Sequence, residues 1–102
     1  MMRGEPQILV PYDAREAVCL KEAAAQASRS QTTVKSWCAL HYIGRRVAGG
    51  PWQVSRVALA MLLDGDRPAL QAYLSGDRAG SLVTPYFDRA GLSKINTDRR
   101  VS

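Results

Sequence analysis

Two short helical stretches joined by three polar residues limit the possible fold more than any other feature of this chain. The alanine-rich stretch Ala14 to Ser28 has apolar residues at Ala17, Leu20, Ala24 and Ala27, a spacing that predicts a helix best defined from Leu20 to Ala27. Ser28-Arg29-Ser30 interrupts the pattern. Ser30 is a good N-cap for a second helix from Gln31 to about Leu40, with Val34, Trp37 and Cys38 as its buried stripe. The joint and the polar early turns of the second helix, Gln31, Thr32, Thr33, Lys35 and Ser36, match the spacing of a helix-turn-helix whose second helix does the reading.

Beyond the second helix the chain reads as a strand, a tight turn and a second strand: Gly44 to Ala48, Gly49-Gly50-Pro51, then Trp52 to Val54, the layout of a β-hairpin wing. Ser55 caps a predicted third helix, Arg56 to Leu63, whose Val57, Leu59, Ala60, Leu62 and Leu63 close a small core before Asp64-Gly65-Asp66 ends it. Shorter helices are expected at Pro68 to Leu74 and from about Val83 to Ala90. Their apolar residues exceed what the small core needs and so suggest a surface for contact between protomers.

The fold class is therefore mainly α with a small β-hairpin wing, a winged helix-turn-helix. It divides into a loose N-terminal leader (1–13), a DNA-binding core (14–63), a helical extension (64–92) and a flexible basic tail (93–102). At 102 residues, one compact domain is the expectation.

The charge is uneven along the chain. Residues 15–56 hold seven Lys or Arg against Glu16 and Glu22, which accounts for the entire formal net charge of +5. A basic segment centred on the two helices and the wing is what a phosphate-neutralising surface requires. Gln31, Thr32, Lys35 and Ser36 are the candidate base contacts, because base edges present donors and acceptors that such side chains can match. Arg29, Ser30, Thr33, Arg45, Arg46, Gly49, Gly50 and Arg56 are the candidate backbone and wing contacts. Trp37 and Trp52 are read as core residues from their helical and strand spacing.

Other chemistry is not indicated. Cys19 and Cys38 stand apart, and with His41 they do not make a four-ligand zinc site, so both are expected to be reduced and buried, with no metal and no cofactor. The sequence has no nucleophile–base pair and no phosphate-cradling glycine loop, which argues against an enzyme. No apolar run reaches the roughly 18 to 20 residues of a membrane span, and the start of the chain lacks a signal-peptide layout, so a cytoplasmic, nucleoid-associated protein is expected.

Leu20-Lys-Glu-Ala-Ala-Ala, Thr33-Val34-Lys35-Ser36-Trp37 and Gly49-Gly50-Pro51-Trp52-Gln53-Val54-Ser55, taken together with the separation of the two tryptophans, resemble the excisionase and MerR-like winged helix-turn-helix family from Leu20 to Leu63. The chain departs from that pattern at four places. Ser28 stands where the family often has a turn glycine and Arg29 where it has an apolar residue. His41 stands where the recognition helix tends to end in glycine, and Pro51 where the wing tip commonly carries arginine, which leaves Arg45 and Arg46 to grip the backbone.

The resemblance implies a recombination directionality factor. Such a protein binds adjacent sites on double-stranded DNA, self-associates there, bends the duplex and helps a tyrosine recombinase excise a mobile element. A small transcriptional regulator of a phage, plasmid or integrative element is the alternative, and a protein-interaction module with a basic face is a third reading.

Overall fold

Local devices that the sequence supplies delimit most of the short helices. A computed structural model of the chain describes residues 6–10, 12–46 and 48–92. Helix α1 is Leu20–Ala27 and helix α2 is Gln31–His41. Ser28 ends α1 in the left-handed conformation, φ 57°, and the Arg29 N–H turns back to the Ala24 carbonyl at 3.0 Å. Ser30 then caps α2, its hydroxyl accepting from the Thr33 N–H at 3.1 Å. Helix α3, Arg56–Asp64, starts in the same way, with Ser55 Oγ accepting from Ala58 N–H at 3.0 Å, and stops at Gly65 with φ 71°. Asp66 caps α4, Arg67–Leu74, and α5 is Thr84–Arg89.

Upstream of Leu20 the expected helix is absent. The Arg15 N–H donates to Asp13 Oδ1 at 2.8 Å, and the Glu16 and Ala17 N–H groups both donate to the Asp13 carbonyl, so residues 13–17 form a tight turn. Strand β1, Ala17–Val18, follows it. Alanine propensity loses here because the turn sends Glu16 into the interior and the extended residues after it pair with another strand.

That partner is β3, Gln53–Ser55, which also pairs with β2, Gly44–Arg45. The sheet is antiparallel with β3 in the middle: Ala17 faces Ser55, Val18 and Gly44 both face Val54, and Arg45 faces Gln53. The expected two-stranded hairpin is thus a three-stranded sheet. Gly44 is obligatory for its approach to α2, since a Cβ there would lie 2.6 Å from Cys38 Sγ and 2.8 Å from the Gln53 carbonyl oxygen.

One core runs from Ile8 and Leu9 to Leu92, so residues 14–63 do not close it alone. Ala69, Leu70, Tyr73, Val83, Tyr86 and Phe87 are all buried in it, and the apolar residues of the two C-terminal helices are core rather than surplus. The described part of the leader is not loose either. Leu9 is fully buried and its N–H donates to Tyr73 Oη at 3.0 Å, while Gln7 N–H donates to the Leu74 carbonyl at 2.8 Å. Arg78 lies 3.8 Å from the Tyr73 ring centroid and donates to the Gln7 and Val10 carbonyls. Residues 1–5 and the expected basic tail, 93–102, lie outside the described residues.

A buried polar cluster joins these layers. Glu16 is 3% exposed, and its Oε2 accepts from Ser55 Oγ at 2.5 Å and from Tyr73 Oη. Burial, reinforced by the Glu16 charge, pushes the Tyr73 hydroxyl far above its ordinary range, and burial pushes the Cys38 thiol up to about 11. Both groups stay neutral in the fold and ionise more readily when unfolded. The Cys38 contribution to stability is whole below pH 9.0 and is lost progressively as pH rises through about 11, and that of Tyr73 is whole below pH 10.0 and is lost at still higher pH.

Urea denaturation tests the buried cluster and the joint between α1 and α2. Tyr73→Phe strips the partner from a buried N–H and from Glu16 and is expected to cost about 1 to 3 kcal/mol, with a shallower alkaline loss of stability than the parent chain. Ser28→Gly relieves the left-handed position and is expected to gain about 0.5 to 1 kcal/mol. An unchanged denaturation midpoint in either variant contradicts the local account given for it.

Candidate nucleic-acid interface

Helix α2 buries Val34 and Cys38, half-buries Trp37 and His41, and leaves Gln31, Thr32, Lys35, Ser36, Ala39 and Leu40 exposed. Leu40 turns toward α4, beside Leu70 and Leu74. The other exposed positions form two rows. Gln31 and Lys35, four residues apart, line a groove of 390 Å³ bounded by the start of α1 and by the loop between β2 and β3. Thr32, Ser36 and Ala39 follow the i, i+4, i+7 spacing of a ridge on the outward side. All four candidate base contacts are therefore on solvent-facing α2, divided between groove and ridge.

Lys21, Lys35 and Arg46 all line the groove, beside Gly50 and Trp52, and none of its lining residues is a carboxylate. Like charges gathered around a concavity raise its positive potential and favour an anion. Lys21 is not among the candidates that the sequence suggests. The one signal for it is its place in the first turn of the predicted first helix, and nothing in a single sequence shows that this turn meets the loop between β2 and β3.

The β2–β3 loop has a built tip. Ala48 and Gly49 both take positive φ, 53° and 74°, and Arg46 donates from Nε to the Gly50 carbonyl and from Nη2 to the Gly49 carbonyl, each at 2.9 Å. Its guanidinium also lies 5.6 Å from the Trp52 ring centroid. The expected first strand, Gly44 to Ala48, is shortened for this reason: the chain leaves the ladder after Arg45 so that Arg46 can close the loop. The second strand lies one residue later than expected, at Gln53–Ser55.

The remaining candidates are dispersed. Ser30 and Thr33 are tied to each other, their hydroxyls 3.0 Å apart, and Thr33 is half-buried. Arg29 is exposed at the joint and donates to the Ser28 carbonyl at 3.2 Å. Arg45 is half-buried with its guanidinium 5.8 Å from the Tyr12 ring centroid, and among the described residues its Nε has no hydrogen-bond partner. Arg56 points away from the groove: it donates to the Arg15 carbonyl at 2.9 Å and the Ala90 carbonyl at 3.0 Å, tying β1 and α5 to the start of α3.

Trp37 and Trp52 are half-buried and pack against the core. Cys38 is buried as expected, but Cys19 is exposed, because it is the N-cap of α1 rather than a residue on an inward helix face.

Among the described residues no group of three or more His, Cys, Asp or Glu is placed to hold a metal ion. No described helix is long and apolar enough to cross a membrane. Compared with protein-family models, curated proteins and solved structures, the chain matches none.

Arg46→Ala removes the clasp on the loop carbonyls and the cover on Trp52. In a Trp37→Phe background, which leaves Trp52 as the single indole, its fluorescence is expected to move to longer wavelength as the ring meets more water. An unshifted spectrum contradicts the clasp.

Proposed function

We propose that this chain is a sequence-specific binder of double-stranded DNA that works as a winged helix-turn-helix, with α2 as the recognition helix and the β2–β3 hairpin as the wing. The observation that carries the reading is the groove between them, where Lys21, Lys35 and Arg46 meet beside Gln31. A helix with short polar side chains suits the major groove, and a cationic flank suits the phosphates beside it.

Within that class the proposed role is the one implied by the resemblance, an excisionase. Copies on adjacent sites bend the duplex and assist a tyrosine recombinase. One α2-sized helix reads few base pairs, and each contributes only about 1 to 3 kcal/mol of discrimination, so neighbouring copies supply the rest. Contact between copies then falls to apolar side chains that the core leaves exposed, such as Leu63 and Leu82. Regulation of a promoter in a mobile element is the alternative use of the same surface.

The test is a gel-shift titration of the full chain on duplexes carrying one site or an array, at several salt concentrations. If the three groove cations each neutralise one phosphate, log affinity falls against log salt with a slope of about −2.7 or steeper. Cooperative filling of the array, with mobility that depends on site position, supports the excisionase role. Binding to one isolated operator without a bend favours the regulator, and no retention of any duplex at low salt removes the DNA reading.

A further inference from the structure

The two exposed rows of α2 carry different chemistry. The groove row, Gln31 and Lys35, stands opposite Lys21 and Arg46. The outward row, Thr32, Ser36 and Ala39, has no charge. Adjacent major and minor grooves of a duplex are separated by one sugar–phosphate strand. A recognition helix in the first and a wing in the second must straddle that strand, and whatever lines the gap between them faces phosphate rather than base edges.

We infer that the gap between α2 and the wing seats the sugar–phosphate strand through Lys21, Lys35 and Arg46, and that sequence is read by the outward row, Thr32, Ser36 and Ala39. This rests on the DNA-binding reading above and divides its contact surface. It transfers Lys35 from reading to gripping, takes Gln31 out of the readers to the groove side, adds Lys21 to the grip, and adds Ala39 to the readers. Thr32 and Ser36 hydroxyls each offer one donor and two lone pairs to a base edge. Ala39 offers a methyl, the partner that suits the C5-methyl of thymine.

The charge placement supports the division. Bidentate contact to guanine takes an arginine or a lysine, and the outward ridge of Thr32, Ser36 and Ala39 carries neither. The cations sit where a polyanion has to pass, and the neutral small side chains sit where close approach to base pairs requires little bulk.

The experiment uses the full chain and a duplex pool randomised over about 20 base pairs, a length chosen to exceed one major-groove face. Selection first yields a preferred duplex, and affinity for it and for a mixed-sequence duplex is then measured across a salt series. Lys21→Ala and Lys35→Ala are each expected to weaken both duplexes by the same factor, to lower the salt slope by about 0.9, and to select the same sequence as the parent. Thr32→Val and Ser36→Ala are expected to leave the slope unchanged and alter the selected sequence. Replacing the thymine under Ala39 by deoxyuridine is expected to weaken parent binding about fourfold, the worth of one buried methyl.

Circular dichroism confirms that each variant is folded. A Lys35→Ala protein that selects a different sequence with an unchanged slope overturns the division while leaving DNA binding intact. A parent chain that retains no duplex at low salt overturns the DNA reading and the division together.

Discussion

The Glu16 carboxylate is the interaction on which the arrangement of this chain most depends. A carboxylate removed from water is costly unless its oxygens are occupied, and here one oxygen takes hydrogen bonds from Ser55 and from Tyr73. Each partner has a second duty. Ser55 closes β3 and caps α3, and Tyr73, on α4, accepts the Leu9 N–H. The turn after Asp13, the middle strand, the start of α3, α4 and the N-terminal segment are therefore held by one group. Loss of any partner leaves a buried polar atom unpaired, which makes the cluster a selector of one packing as well as a source of stability.

From that anchor the candidate interface is positioned in few steps. β3 carries the far side of the hairpin and passes without a break into α3, while β2 is pressed against α2 at the contact between Gly44 and Cys38. Helix and hairpin are thus referenced to the same core within a few residues, and Arg46 fixes the loop tip on its own carbonyls.

Much of this is legible in the sequence because the signals are local. Ser30 and Ser55 announce helix starts, the Val34 and Cys38 stripe gives the inward face of α2, and Gly49 next to Gly50 marks the turn. The failures share a cause in long-range contacts. Ala14 to Cys19 looks helical on composition, and only the partnership of Glu16 with Ser55 and Tyr73, distant in sequence, explains why it turns and becomes a strand. Ile8 and Leu9 look like part of a loose leader because the residues that hold this segment, Tyr73 and Arg78, lie more than sixty residues away. Arg56 and Lys21 are both cations near helix starts, yet one ties carbonyls inside the fold and the other lines the groove. Charge patterning cannot separate such cases without the third dimension.

Ser28, in a left-handed position at the joint of α1 and α2, shows how the local and long-range levels interact. The left-handed position that favours glycine is present in the structure and serine occupies it, so the joint of α1 and α2 is retained at a cost of about 1 kcal/mol. Packing between the two helices, through Ala23, Ala24, Ala27 and Val34, has to outweigh that cost. It does so because alanine on α1 permits close approach, and the same close approach holds the first turn of α1, with Lys21, beside the first turns of α2. On the DNA-binding reading proposed above, helix and hairpin fixed to one core in this way make the duplex the more deformable partner. Bending it by 40 to 90° over a site of 20 to 30 base pairs costs on the order of 1 to 6 kcal/mol, and adjacent copies sharing one bend divide that cost. Under that proposal, a small domain that gains by repetition is better suited to shaping DNA than to occupying a single site.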